Sequence, residues 1–152
     1  MTAPLWTSEA ISAASKGRTN SLFSIDGISI DSRQPLQGNL FIAIVGNQFD
    51  GHDYVDAALK AGAVGALVHQ KPPGVSKNDP RLIFVDNTFK ALEDIARAAR
   101  ERSNAHVVGI TGSVGKTGTK EMLLTAFKRL GPSYANEGNL NNHLGVPLSL
   151  AR

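Results

Sequence analysis

The chain is 152 residues long, 41% hydrophobic and 19% charged, with a formal net charge of +3 and no cysteine. Those values fit a globular protein large enough to bury a core without staples, and they exclude the disordered and membrane-spanning classes, disulfides, thiolate zinc sites and a cysteine nucleophile. The basic residues are scattered, and the one close group, Arg97, Arg100 and Arg102 around Glu101, reads as a solvated helix face that gives no support for nucleic-acid binding.

The N-terminus, Met1 to Trp6, lacks the basic start and apolar core of a signal peptide, and no apolar run reaches bilayer length, so the expected location is cytoplasmic. Residues 5–15 read as a short helix capped by Thr7 or Ser8, with Glu9 near its positive end, Ile11 and Ala14 facing inward, and Gly17 as its stop. Over residues 24–31, Ile28 and Ile30 alternate with polar residues, the pattern of a strand with one face buried. Pro35 to Gly38 turn the chain into residues 39–45, whose nearly unbroken apolar run predicts a strand covered on both faces.

The following loop, residues 46–52, carries more distinctive side chains than a connector needs, Phe49, Asp50 and His52 among them. A helix from Asp53 comes next, with Tyr54, Val55, Ala58 and Leu59 on one face and Gly62 at its end. Residues 64–68 and 82–85 are short apolar strands separated by a loop rich in proline and glycine. Asp86, Asn87 and Thr88 supply cap residues for a helix in which Phe89, Leu92, Ile95, Ala96 and Ala99 recur at helical spacing. Strand and helix alternate throughout, which makes the fold class α/β.

From His106 an apolar run breaks into a glycine-rich turn and then into a helix, the grammar of a phosphate-binding loop. Gly109, Gly112 and Gly115 let consecutive N–H groups face one concavity, Lys116 is placed to reach outer phosphates, and the Thr117 hydroxyl is placed to hold magnesium. The usual pattern G-x-x-x-x-G-K-[ST] wants glycine where this chain has Ile110, and an ordinary strand-to-helix turn is the competing reading. The helix continues through Met122, Leu123, Ala126, Phe127 and Leu130, an apolar face that requires a sheet, and stops at Gly131 and Pro132. Residues 133–135 suggest another strand, 136–143 a polar loop, and 148–152 a last helical turn. One strand, one helix and part of a second strand cannot cover their own apolar faces, so the C-terminal third reads as the truncated start of a P-loop domain. His69, His106 and His143 show no metal spacing.

Four stretches taken together carry a resemblance. Asp31-Ser32-Arg33 followed by Gly38-Asn39-Leu40-Phe41-Ile42-Ala43, then Phe49-Asp50-Gly51-His52-Asp53-Tyr54, then Thr111 to Thr117 running on to Lys120-Glu121-Met122, and finally Gly138-Asn139-Leu140-Asn141-Asn142 through Pro147 stand in this order. They resemble the motifs of the Mur ligases of bacterial cell-wall synthesis, whose shortened G-x-x-G-K-[ST] loop Gly112 to Thr117 satisfies. The Lys-Glu-Met and Gly-Asn-Leu-Asn-Asn stretches are similar to the branch that adds D-alanyl-D-alanine, more than to the branch that completes the tripeptide.

The resemblance implies an N-terminal UDP-substrate-binding α/β domain over residues 1–86, a linker helix over 87–103, and the truncated start of a central P-loop ATPase domain over 104–152. It implies ATP and Mg2+ as cofactors, UDP-MurNAc-tripeptide and D-Ala-D-Ala as substrates, and an acyl phosphate between them. Gly112, Ser113, Val114, Gly115, Lys116 and Thr117 would bind nucleotide, with Lys116 catalytic and Thr117 a metal ligand. Asp31, Ser32, Arg33 and His52 would lie at the UDP end and Asn139, Asn141 and Asn142 would face the substrate. Competing readings are a local Asp31–Arg33 pair, a His52 that braces its loop, and turn-forming asparagines. The family's magnesium-binding glutamate and histidine, adenine contacts and C-terminal domain lie beyond residue 152, so the chain is expected to need the remainder of the ligase for activity. A tripeptide-forming ligase and a non-catalytic nucleotide-binding module are the alternative functions.

Overall fold

The structure, a computed structural model, describes residues 3–136 and 142–152. Its centre is a parallel four-stranded sheet in sequence order: β3 (Gly27–Ser29), β4 (Asn39–Ile42), β5 (Gly65–Val68) and β6 (Leu82–Phe84). Because alternate residues of a strand point to opposite faces, β4 sends Leu40 and Ile42 into one core and Phe41 and Ala43 into the other. The expected doubly covered strand is therefore present, and so is the α/β fold class.

Helix α1 (Ser8–Ser15) and helix α3 (Thr88–Glu101) cover the first face, where Ile11, Ala91, Leu92, Ile95 and Ala99 meet Ile28, Leu67 and Ile83. Full burial of a side chain such as Leu92 or Ile95 stabilises the fold by roughly 1.5–3 kcal/mol. Helix α2 (Val55–Lys60) covers the second face with Val55, Ala58 and Leu59 over Phe41, Ala66 and Val68. The capping residues are among those expected, Thr7 Oγ1 accepting the Ala10 N–H and Asn87 Oδ1 accepting the Lys90 N–H, but the first helix starts at Ser8 and not at residue 5, because Trp6 and Thr7 pair as a short strand with Ser24 and Ile25.

Several local expectations are corrected. The 24–31 strand is two pieces, β2 (Ser24–Ile25), which pairs antiparallel with β1 (Trp6–Thr7), and β3 in the main sheet. The switch between sheets falls at Asp26, whose N–H donates to the Gly38 carbonyl. Both faces of β3 are covered, since Ile28 and Ser29 are each buried. Helix α1 ends at Lys16, which takes the left-handed conformation at φ 56°, while Gly17 serves close packing, its Cβ position lying 2.9 Å from Ile83 Cγ2. The helix after the polar loop begins as a 3-10 turn, Gly51–Tyr54, and Tyr54 points to solvent instead of into the core.

Beyond α3 the chain changes character. Among residues 104–136 none is buried, and the expected strands over 106–111 and 133–135 are not formed. A strand needs a neighbour to take its backbone hydrogen bonds, and among the described residues neither stretch is paired with one. Helix α4 (Lys116–Phe127) forms, but its apolar face, expected to pack on a sheet, buries no residue: Met122 and Phe127 are solvent-exposed and Leu123 is half-buried. Helix α5 (Gly145–Ala151) then returns to the main body, adding Leu148 and Ala151 to the α1–α3 core. It is fastened there by Trp6, whose Nε1–H donates to the Ala151 carbonyl at 2.8 Å, with the Arg102 guanidinium 3.5 Å above the indole ring. Arg152 Nε donates to the Ile28 carbonyl on β3 at 3.0 Å. No helix among the described residues is long and apolar enough to cross a membrane.

Candidate functional site

In a parallel sheet the loops after the carboxyl ends of the strands share one rim, where ligands of α/β proteins bind. Here that rim collects Asp31, Ser32 and Arg33 after β3, the loop 44–51 with His52 after β4, and His69 and Gln70 after β5.

Asp31 and Arg33 form a closed clasp. Asp31 Oδ1 accepts from the Arg33 backbone N–H at 3.0 Å and from Nε at 2.9 Å, and Oδ2 accepts from Nη2 at 2.9 Å. The side-chain bond, then the backbone bond, hold the Asp31 carboxyl down to about 2 from an ordinary 3.8. The same clasp recurs at Asp79 and Arg81, just before β6 at the opposite end of the strands, with the same three bonds. The Asp-x-Arg geometry is therefore a turn-closing device, and what distinguishes the Asp31 copy is its place on the rim and an Arg33 side chain that is 87% exposed. Ser32, half-buried, sits at the bend between them.

The loop after β4 is a tight hairpin. Val45 and Asp50 form a β-bridge, the Gly46 N–H donates to the Phe49 carbonyl at 2.8 Å, and the Gly51 N–H donates to the Ile44 carbonyl at 2.9 Å. A Cβ on Gly51 would lie 2.7 Å from the Ile44 backbone N and O, so only glycine fits this crossing. Phe49 is turned outward at 67% exposure. His52, in contrast, is buried, and each of its polar groups is engaged. Its backbone N–H and its Nδ1 both meet Asp50 Oδ1, at 2.9 and 2.6 Å, and its Nε2 accepts the His69 backbone N–H at 3.1 Å. Asp50 Oδ2 accepts from Gln70 Nε2 at 3.0 Å. Burial raises the Asp50 carboxyl, but the hydrogen bonds from the His52 backbone and ring outweigh it and hold it below its ordinary value. Burial, then the neighbouring His52 ring, pushes the His69 imidazole down.

The phosphate-loop motif lies apart from this rim, on the exposed segment. Gly112 at φ 151° and Gly115 at φ 79° both take conformations that side chains resist, and Gly115 caps the N-terminus of α4. The Lys116 ammonium reaches back to the Gly112 carbonyl and so spans the turn. Ser113, Val114 and Thr117 are exposed around it. Two glycines at positive φ leading into a twelve-residue helix whose first-turn N–H groups lack intrahelical partners fit an anionic phosphate. Among the described residues no group of three acidic, histidine or cysteine side chains is placed to hold a metal ion. Asn142 Oδ1 accepts from the Leu144 and Gly145 N–H groups at 3.2 and 2.7 Å, opening α5. Asn139 and Asn141 lie outside the described residues.

The sequence reading singled out His52 but missed its partners. Asp50 two residues before it carries a recognisable signal, an aspartate accepting the N–H of residue i+2. His69 carries none, because it meets His52 only through the pairing of β4 with β5.

Residues 24–100, just over half of the chain, match the family described as Mur ligase family, catalytic domain. The UDP-N-acetylmuramoyl-tripeptide--D-alanyl-D-alanine ligase of Rickettsia prowazekii is 38% identical over 148 residues, covering 97% of this chain and 32% of that protein. A crystal structure of MurF from Acinetobacter baumannii superposes with a TM-score of 0.81 at 33% identity, over 96% of this chain and 32% of that one. MurF ligase from Thermotoga maritima, solved in complex with ADP, superposes with a TM-score of 0.64 at 34% identity, over 82% of this chain and 28% of that one. The chain thus spans about a third of the length of the relatives it matches. With the matched segment taking in the whole parallel sheet and most of α3, the chain belongs to the Mur ligase family.

Proposed function

We propose that this chain is the UDP-substrate-binding portion, with the phosphate loop, of a cytoplasmic ATP-dependent ligase that joins D-Ala-D-Ala to UDP-MurNAc-tripeptide in peptidoglycan precursor synthesis. Functionally it divides into a substrate-gripping part over residues 1–86, a linker helix over 87–103 and the opening of the ATPase part over 104–152. The observation that supports this reading best is the superposition of 96% of the chain on a solved MurF with a TM-score of 0.81.

The chemistry follows from the residues present. Phosphoryl transfer asks of a protein mainly positioning and charge neutralisation. The amides of residues 112–117 and the Lys116 ammonium would supply both to ATP, and the Thr117 hydroxyl would hold Mg2+. Bound ATP would supply the phosphoryl group that activates the terminal carboxylate of the tripeptide toward the amine of D-Ala-D-Ala. On the rim, the outward face of Arg33 and the loop 46–52 would meet the UDP end, with Asp31 and Ser32 holding Arg33 in place. Asn142, and with it Asn139 and Asn141, would lie on the substrate side of the ATPase part. The remaining segments of the ligase complete the active centre, so the chain alone forms no ligation product.

Calorimetric titration of the 152-residue chain with UDP-MurNAc-tripeptide tests the reading. Saturable binding that free UDP competes away is expected. Absence of both heat and thermal stabilisation would overturn the substrate-binding assignment, and product formed from ATP, D-Ala-D-Ala and the tripeptide by this chain alone would overturn the need for further segments.

A further inference from the structure

We infer that His52 is a positioning residue: as a neutral imidazole it ties the exit of β5 to the rim loop 44–51, and proton uptake by this ring releases the loop and weakens substrate binding. The inference rests on the reading that the rim takes UDP-MurNAc-peptide.

The tautomer follows from the partners. His52 Nε2 receives the backbone N–H of His69 at 3.1 Å, so that nitrogen must offer its lone pair. The ring hydrogen therefore sits on Nδ1, where it donates to Asp50 Oδ1 at 2.6 Å. A second proton would have to go to Nε2 and would set N–H against N–H. The gain from a charged ring beside Asp50 does not remove that conflict, because the His69 N–H loses its acceptor however the charges balance. Proton uptake is thus coupled to movement of either the ring or the strand exit.

Movement of the ring reaches the rim through Asp50. That carboxylate is held by the His52 backbone N–H and ring on one oxygen and by Gln70 on the other, and Asp50 is also the base of the hairpin through its bridge to Val45. Glycine at 51 leaves the hairpin no slack, as its backbone is in contact with Ile44 and Ala43. Phe49, the outward residue of this hairpin, hydrogen-bonds through its carbonyl to the Gly46 N–H, so its orientation depends on the hairpin base. The ionisable groups facing the ring are Asp50 from the loop and His69 from the β5 exit, whose imidazole stands edge-on with ring centroids 4.3 Å apart. His69 contributes its backbone N–H to the brace, and its own ring makes no hydrogen bond in it.

The test uses the whole chain and two readouts between about pH 8 and pH 5, the range in which imidazoles titrate. The first is hydrogen-exchange protection of the Gly46 and Gly51 amides, corrected for intrinsic rates, and the second is calorimetric affinity for UDP-MurNAc-tripeptide. The wild type is expected to lose protection at both amides as pH falls, with affinity dropping by up to about tenfold per pH unit, the limit for one linked proton. His52→Gln keeps an acceptor for the His69 N–H that does not titrate, so both profiles should become flat. His69→Gln keeps its backbone donor, so both should still fall with pH, less only the part that the His69 ring itself contributes. A slope that survives in His52→Gln, or that vanishes in His69→Gln alone, overturns the brace. Protection that follows His52 in a chain that binds no ligand at any pH would uphold the brace and defeat the substrate reading instead. Should His52→Gln fail to fold, ring nitrogen shifts of the wild type decide: a hydrogen on Nδ1 is required, and one on Nε2 overturns the inference.

Discussion

The main body and the segment 104–136 use similar amino acids to opposite effect. In the body, apolar residues of three helices and four parallel strands close two continuous cores, and α5 joins one of them from the far end of the chain. In the segment, Val107, Val108, Val114, Met122 and Leu130 are as apolar, yet none is buried. Helix α4 takes its backbone hydrogen bonds from its own turns, whereas strands over 106–111 and 133–135 require partners that these residues do not meet. Local grammar can specify a helix or a glycine turn by itself, but a strand exists only in company.

The sharpest way to break this contrast is a pair of truncations. Leu148→Ala removes a core side chain that is 2% exposed and should cost about 2–5 kcal/mol in urea unfolding. Leu130→Ala, at 84% exposure in the other segment, should stay within about 0.5 kcal/mol. Equal effects would mean that α5 is not part of the body. A pair of glycine substitutions comes next. Gly51→Ala forces a Cβ against the Ile44 backbone and should destabilise by ~1–3 kcal/mol. Gly118→Ala meets nothing within 4 Å and should raise the helicity of α4 in far-UV circular dichroism without lowering the unfolding midpoint.

Trp6→Phe sharpens the attachment of α5. It leaves the Ala151 carbonyl without its indole donor and should cost about 0.5–1.5 kcal/mol, read from the same urea midpoints. The smallest effect is expected at the rim clasp, where Arg33→Ala should leave the urea midpoint nearly unchanged because the pair is solvent-screened. Its pH signature is nevertheless specific. The folded Asp31 carboxyl lies at about 2, below its ordinary 3.8, so the wild-type contribution is complete above 3.8 and disappears as pH falls through about 2. NMR titration of Asp31 in the variant should return it toward the ordinary value. His69 adds to the acid sensitivity of the body at a higher pH. Its imidazole is pushed below the ordinary 6.5, so stability declines as pH drops under 6.5 while the unfolded chain takes up the proton first. Each of the resolved shifts belongs to the body, and acid should therefore weaken the body while leaving the helicity of α4 unchanged.

How much was legible varies with the range of the interactions. The cap at Thr7 or Ser8, the cap within residues 86–88, the apolar spacing of α3 and the doubly buried β4 follow from neighbours within a few residues and stand within the ranges the sequence gives, with Thr7 and Asn87 as the residues that cap. The phosphate-loop motif is equally local, and its glycines at 112 and 115 adopt the positive φ that motivates them. The break at Asp26 was not legible, because it depends on Gly38 and on the pairing of β2 with β1. Nor was the solvent-facing Tyr54, since a 3-10 start rotates that side chain away from the face a regular helix would give it.

The sequence by itself thus determined the α/β class, the strands β4 to β6, the helices α1 to α4 and the glycine turn before α4, all of which are encoded in periodicities, caps and backbone preferences of adjacent residues. Only the tertiary structure decided which of those elements share a core, that α5 closes on Trp6, and that Asp50, His52 and His69 form one cluster. Those outcomes join residues 145 and 17 positions apart, and such contacts depend on how whole layers pack.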